Sequence, residues 1–283
     1  MTDRKTSSQA LNYIRNCTMM DDRFMTAVLD DNIPATQLIL RTVLGIPDLE
    51  VVEQHVQHRE TNLRGRSSVL DVYAVDAVGT RYDIEVQNAS SGATPRRARY
   101  NASLIDASSL EPGQDVERLP EVYVIFITRD DVIGGGEPVY VFDRVCGASG
   151  RSLEDGSHLV YVNGAHSDPT TQLGLLLEDM RCAQPDKMHF EELASRARDL
   201  KGGEEMDRRA PMLDDIYQAG VKDGMAQGSE AARAEGVAAG VAASVAALVE
   251  SGAYGVDDAM EALKVPDKLC DAVRERVLAL TRG

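Results

Sequence analysis

The stretch that most restricts how this chain can fold reads SSVLDVYAVDAVGTRYDIEVQNASSGATPRRARY, from Ser67 to Tyr100. Val69 to Asp76 and Thr80 to Gln87 are short runs rich in Val, Tyr and Ile on either side of a Gly-containing break, the pattern of a β-hairpin. A three-residue loop, Ala77-Val78-Gly79 with Gly79 at positive φ, sets Asp76 opposite Thr80 and therefore Asp71 opposite Glu85. Paired residues share a face, and Gln87, two positions beyond Glu85, joins them. A two-residue Val78-Gly79 turn would instead set Asp71 opposite Val86 and send the carboxylates to opposite faces.

Facing carboxylates among apolar neighbours repel, and an ionised group withdrawn from water costs several kcal/mol unless it is paired. A cation offsets that cost. Oxygen donors with no His or Cys nearby suit Mg²⁺ or Mn²⁺, which keep bound waters available for chemistry. Downstream, Thr94-Pro95 reads as N-cap and first residue of a helix that carries Arg96, Arg97, Arg99 and Tyr100 in its first two turns. Cations there oppose the helix dipole, whereas contact with phosphate accounts for them. The bland alternatives are a polar outer face on a half-exposed hairpin and a solvated helix face.

The pattern L-D-V-x-A-x-D-x-x-G-x-x-Y-x-I-E-x-Q from Leu70 to Gln87, followed by R-A-R-Y at Arg97 to Tyr100, resembles the PD-(D/E)XK nuclease superfamily. Within it, the likeness is to the recombination-promoting nuclease / putative transposase branch, and it extends from about Asp21 to about Lys201. The resemblance implies an α/β, restriction-endonuclease-like core of order αβββαβ, a central mixed sheet flanked by helices. It also implies that Asp71 and Glu85 are metal ligands, aided by the Val86 carbonyl. Gln87 stands where many relatives carry a lysine, and an amide can orient water without acting as a base near neutral pH. Asp21 matches the acidic residue of a D-x-x-F signature that opens the fold in relatives, and it also reads simply as a helix cap. Gln37 stands where many members place a Glu beside the metal.

Periodicity along the chain gives the same order. Helices are expected at Asp22 to Leu29 and from Ile33-Pro34 to Gly45, then a strand at Leu49 to Gln57, the hairpin, the Arg-bearing helix and a stop at Glu111-Pro112-Gly113. Val122 to Ile127 is continuously apolar and β-branched, as a strand buried on both faces should be. Short strands follow at Val139 to Phe142 and Leu159 to Val162. Asp168-Pro169 should cap a helix through Arg181, and a further helix should span about Met188 to Leu200. Gly134-Gly135-Gly136 lacks the lysine and the strand-to-helix setting of a phosphate-binding loop and reads as a surface turn. His158 and His166 read as surface or loop residues.

Three regions result: a flexible segment 1–20, a nuclease-like domain 21–201 and a helical C-terminal region 202–283. In the last, Gly220, Gly224, Gly228, Ala232, Gly236, Gly240 and Ser244 recur at four-residue steps. Five interior glycines would destabilise a lone helix by about 4 to 5 kcal/mol, so this row implies a partner helix, with self-association as one reading and a flexible linker as the other. Short helices at Val256 to Leu263 and Asp267 to Leu280 finish the chain.

Cys17, Cys146, Cys182 and Cys270 lie far apart, which argues against a disulfide framework or zinc site and fits a reducing cytoplasm. The N-terminus lacks an apolar export core, and the longest apolar run, Val237 to Val249, is too short to span a bilayer. A formal net charge of −16 opposes nucleic-acid binding on average, yet a local basic strip can coexist with an acidic remainder. Together with the resemblance, these features imply a Mg²⁺- or Mn²⁺-dependent DNA endonuclease. Asp71, Glu85 and Gln87 would be catalytic, and Arg96, Arg97, Arg99 and Tyr100 would contact DNA. The alternative is a catalytically inactive nuclease-fold protein that binds DNA or assembles through its tail.

Overall fold

Helices lead into the sheet. In the computed structural model, α1 (Asp22–Leu29) and α2 (Ile33–Leu44) precede β1 (Val51–Glu60), β2 (Ser68–Asp76) and β3 (Arg81–Gln87). Next come α3 (Pro95–Ser109), β4 (Val122–Thr128), β5 (Val139–Phe142), β6 (Ser157–Asn163), α4 (Gln172–Arg181) and α5 (Glu191–Lys201). The structure describes residues 13–60, 66–87, 92–202, 255–263 and 265–280, with 241, 242, 244–246, 248 and 249. The chain divides into two compact units, Met1–Ile216 and Tyr217–Gly283.

The six strands form one mixed sheet of order β1-β2-β3-β4-β6-β5. β1, β2 and β3 run antiparallel, β3, β4 and β6 run parallel, and β5 returns antiparallel on β6. The α/β class, mixed sheet and αβββαβ order expected from the sequence are all present. β4 lies between two parallel neighbours with both faces covered, which is why its sequence is an unbroken apolar run. One sheet face packs Val72, Ile84, Ile125 and Val160 against Phe24, Ile39, Leu176 and Leu193 from α1, α2, α4 and α5. The other packs Tyr73, Val124, Phe126 and Tyr161 against Ala98, Ala102 and Ile105 of α3.

The helix ends follow local chemistry. Asn32 caps α2 through Ala35 N–H, and Gly45 at φ 66° closes it in the left-handed region. Thr94 caps α3 by accepting from Arg97 N–H at 3.2 Å, with Pro95 at the first helical position. α4 begins later than the sequence suggests. Its cap is Thr171, which accepts from Gly174 N–H, while the Asp168 carboxylate is engaged by Thr170 in the preceding turn. The three glycines at 134–136 form a turn around Asp131, whose carboxylate accepts from Gly134 N–H, Gly136 N–H and the Tyr140 hydroxyl.

The segment 1–20, expected to be flexible, is packed over its described part. Ile14, Cys17, Met19 and Met20 are buried in the core, and Lys201 ties this stretch down by donating to the carbonyls of Cys17 and Ala183. The polar sequence around them hid a few apolar anchors. His158 is a strand residue of β6 rather than a loop residue; its ring stacks on Tyr123 and its Nδ1 lies 2.6 Å from Asp143.

The second unit has its own small core, in which Ala242, Val245, Ala246, Ala259, Met260, Val273 and Val277 meet. Its described elements include α6 (Val256–Ala262) and α7 (Asp267–Leu280). The glycine row from Gly220 to Gly240 lies outside the described residues. Among the described residues, no helix is long and apolar enough to cross a membrane, and all four cysteines are free thiols.

Candidate active site

The site begins with a turn. Gly79 adopts φ 94°, and Asp76 N–H donates to the Thr80 carbonyl at 3.1 Å. The Asp76 carboxylate then locks the loop, accepting from Val78 N–H at 3.0 Å, Thr80 N–H at 2.8 Å and the Tyr82 hydroxyl at 2.8 Å. The strands consequently pair Val75 with Arg81, Ala74 with Tyr82, Tyr73 with Asp83 and Val72 with Ile84. This is the register of the three-residue loop, and one step further it sets Asp71 opposite Glu85.

The β2–β3 ladder ends at Val72–Ile84. Beyond it β2 stays with β1 as far as Ser68, and β3 stays with β4 as far as Gln87. The sheet therefore opens a fork between two strands that are each held from the outside, and Asp71 and Glu85 stand in it. The Val86 N–H beside the Asp71 carboxyl, and the Asp71 N–H beside that of Glu85, lower the two pKa values, though less than burial raises them.

Both groups are out of water, with Asp71 8% and Glu85 0% exposed. Burial first, and then the charge of Glu85 on Asp71 and of Asp83 on Glu85, raises both carboxyls well above the usual carboxylate range. Asp22 at the start of α1 adds to the negative field on Asp71. Asp21, the residue matched to the D-x-x-F signature, turns back to accept from Thr18 N–H at 3.0 Å and makes no side-chain cap on α1. Gln37 is structural: its Oε1 accepts from Val51 N–H at 3.0 Å and joins α2 to β1.

A third buried acid belongs to the group and was not singled out in the sequence. Asp83 is 0% exposed, and its carboxyl is pushed up to about 7, chiefly by burial. The alternation that puts Gln87 beside Glu85 puts Asp83 on the same face, so the signal was available. Asn101 of α3 spans the pair, its Nδ2 donating to Asp83 Oδ2 at 2.9 Å and Glu85 Oε1 at 3.2 Å while its Oδ1 accepts from Ser68 Oγ. Gln87 Nε2 approaches Glu85 Oε2 at 3.4 Å.

Two atoms test the site for a cation. Asp71 Oδ2 and Asp83 Oδ1 are buried and have no hydrogen-bond partner among the described residues. Buried carboxylate oxygens with spare lone pairs and hard oxygen neighbours fit Mg²⁺ or Mn²⁺. Among the described residues, no group of three or more His, Cys, Asp or Glu side chains is arranged to hold a metal ion. A cation here would rest on the Asp71–Glu85 pair, a backbone carbonyl and water.

The basic residues divide into distinct roles. A cleft of about 910 Å³ adjoins the fork, lined by Arg66, Ser68, Arg96, Arg97, Tyr100 and Asn101 among others, with no acidic side chain among its described lining residues. Arg97 turns inward: its guanidinium pairs with Glu85, donates to the Gly92 carbonyl at 3.3 Å and lies 5.8 Å from the Phe126 ring centroid. The Tyr100 hydroxyl donates to the Arg66 carbonyl, tying the cleft's two walls. Arg99 does not line this cleft. It lies in an adjacent cavity that shares Arg96 with it.

Comparison with known proteins gives one match. Residues 37–144 match the model of a family described as PD-(D/E)XK nuclease family transposase. No curated protein and no solved structure matches the chain. The matched stretch runs from α2 to just beyond β5, so it contains Asp71, Asp83, Glu85, Gln87, Arg97 and Asn101 and leaves out Asp22. The mixed six-stranded sheet flanked by helices is that of a PD-(D/E)XK, restriction-endonuclease-like fold.

Proposed function

We propose, from the match of residues 37–144 to the PD-(D/E)XK nuclease family transposase model, that the chain is a metal-dependent DNA endonuclease. The observation that carries this reading is the fork: two buried, mutually repelling carboxylates, one with an unpartnered oxygen, beside a cleft lined by Arg66, Arg96 and Arg97.

Asp71 and Glu85, with the Val86 carbonyl, would hold Mg²⁺ or Mn²⁺; when bound, such an ion polarises a phosphoryl oxygen and lowers the pKa of its water. The chain's own residues do the remaining work. Asn101 fixes the Glu85 carboxylate from one side and Arg97 from the other. Gln87 orients the attacking water through its amide and takes no proton, because an amide is not basic near neutral pH. Arg66 and Arg96 hold the phosphate backbone as charge-assisted donors. The net charge of −16 does not oppose this locally, since the described cleft lining carries arginines and no carboxylate. The described cleft lining offers arginines for phosphates rather than a recognised base-reading motif, so backbone contact without strong sequence preference is the mode proposed.

One observation favours a second reading. The Arg97 guanidinium lies on Glu85 Oε2, where it satisfies the charge that a metal would otherwise meet. A protein that kept this pair would bind DNA without cutting it and could act through assembly of its C-terminal unit; a cytoplasmic setting is proposed with it.

Plasmid nicking in Mg²⁺ or Mn²⁺, beside Asp71→Ala, tests the first reading. Nicking by the native chain and none by the variant is the expected result; equal nicking by both, or none by either across metals, defeats it. Calorimetric titration with Mn²⁺ separates the readings, since binding abolished by Glu85→Ala belongs to the enzyme only. Deleting residues 202–283 and measuring mass by light scattering tests assembly, which an unchanged mass would remove.

A further inference from the structure

On the far side of Arg96 from the cleft is a cavity that the reaction above does not use. It measures about 290 Å³ and is lined by Arg96, Arg99, Phe142, Asp143, Arg144 and Leu159, among others. That size is at the lower end of small-ligand pockets, enough for one flat heterocycle and far too little for a duplex.

Its floor is apolar and its rim cationic. Phe142 pairs with Leu159 across β5 and β6, and both line the cavity. Phe142 is 44% exposed, so its ring can be reached from solvent. Its ring is nevertheless held: it meets Tyr161 edge-on at 5.9 Å, Tyr161 stacks on Phe126 at 5.6 Å, and Phe126 lies under Arg97. An aromatic column thus runs from the cavity to the guanidinium that contacts Glu85. Of the charges present, Arg144 pairs with Asp155, and Asp143 sits 2.6 Å from His158 Nδ1. Arg96 and Arg99 supply the rim, and Arg96 lines the cleft as well.

We propose that this cavity receives an unpaired base of the DNA strand whose backbone occupies the cleft, stacked on Phe142 with its flanking phosphates on Arg96 and Arg99. An aromatic platform beside a cationic track is the general means of holding single-stranded nucleic acid, since every base offers a π-face and every linkage a charge. The preferred substrate is then DNA with an unpaired nucleotide next to the bond to be cut: an overhang, a flap or a frayed end. This inference rests on the nuclease reading for its substrate and on the cavity for its specificity.

The test uses the full chain in EDTA with fluorescein-labelled duplexes, either blunt or carrying a short overhang that contains 2-aminopurine. The native protein should bind the overhang at least about ten-fold more tightly than the blunt duplex and quench 2-aminopurine. Phe142→Ala should bring that ratio to about one and abolish the quenching, while Phe142→Tyr, which keeps the ring, should retain both. A native ratio near one, or a ratio unmoved by Phe142→Ala, overturns the proposal. Nicking that depends on Asp71 without overhang preference sinks this inference alone. Overhang preference abolished by Phe142→Ala but no nicking under any metal upholds the cavity and removes cleavage.

Discussion

Asn101 Nδ2 donates to Asp83 Oδ2 across 2.9 Å, and both residues are fully buried, so α3 is fastened to β3 by an amide held between two carboxylates. Removing the amide leaves Asp83 and Glu85 facing each other with one fewer donor in a low-dielectric setting. Asn101→Ala should therefore cost about 3 kcal/mol in urea unfolding, within the range for disrupting a buried polar network. Asn101→Asp, which adds a fourth acid to Asp71, Asp83 and Glu85, should cost more. A loss under about 0.5 kcal/mol for either would mean that the network holds nothing together.

The same burial sets the pH response of the metal-free protein. An acid whose folded pKa lies above its unfolded value binds more protons when folded, so stability is greatest below the unfolded pKa and falls as pH rises. For Asp83 the window runs from about 4, the ordinary carboxyl value, to about 7. Asp71 and Glu85 act in the same direction as a coupled pair. In EDTA, the melting temperature should fall from pH 5 to pH 7, and Asp71→Asn should flatten the slope. Millimolar Mn²⁺ should raise stability most at the upper end, where the acids are ionised. A melting temperature that climbs with pH in EDTA would contradict the assignment.

Asp71, Glu85 and their register could be read from the sequence because they depend on local rules: side-chain alternation and the length of one turn. Gly79 at positive φ made that length legible. Asp83 obeys the same alternation, but nothing in the sequence reveals Asn101 as its partner, eighteen residues away on α3. Arg97 was legible as a cation near the site and not as an inward one, since its direction depends on where α3 packs on Phe126 and Ala93. The anchors Ile14, Met19 and Met20 were hidden for a related reason: they are buried in a core that also takes Leu193, Ala197 and Leu200 of α5, from the other end of the domain.

Gly92 gives Gln87 its place. A Cβ at position 92 would overlap Gln87 Oε1, the far end of a flexible side chain, so Gly92→Ala should move Gln87 at little cost to the fold. Nicking should fall about 10- to 100-fold while the melting temperature stays within a degree or two. Gln87→Ala should do the same, and the double variant should lose no more than either single one, because both remove one interaction. Additive losses would show that Gly92 acts elsewhere.

Phosphate binding by the cleft arginines predicts a salt signature. Removing one arginine that neutralises a phosphate should reduce the slope of log affinity against log salt by about one, uniformly across sequences. Arg66→Ala and Arg96→Ala should each do so on blunt duplex. Arg97→Ala should differ, because its guanidinium serves Glu85: the slope should hold while nicking falls. If Arg97→Ala shifts the slope as much as Arg96→Ala, the inward role is wrong.

Asp76 sets the geometry of the fork from its closed end. Its carboxylate accepts from Val78 N–H, Thr80 N–H and the Tyr82 hydroxyl, holding the loop at three residues. Shortening the loop by one would bring Val86 opposite Asp71 and turn the carboxylates to different faces. Asp76→Ala leaves the three donors without their shared acceptor and should cost about 2 to 3 kcal/mol. Because register is specified by turn and hydrophobic pattern together, the buried apolar residues of β2 and β3 should keep the fold while the fork loosens. Mn²⁺ affinity and nicking should then drop further than Asp76→Ala's stability loss accounts for, at a temperature where the variant is still folded. Activity that merely tracks the folded fraction would show that the turn holds up the strands without positioning the acids.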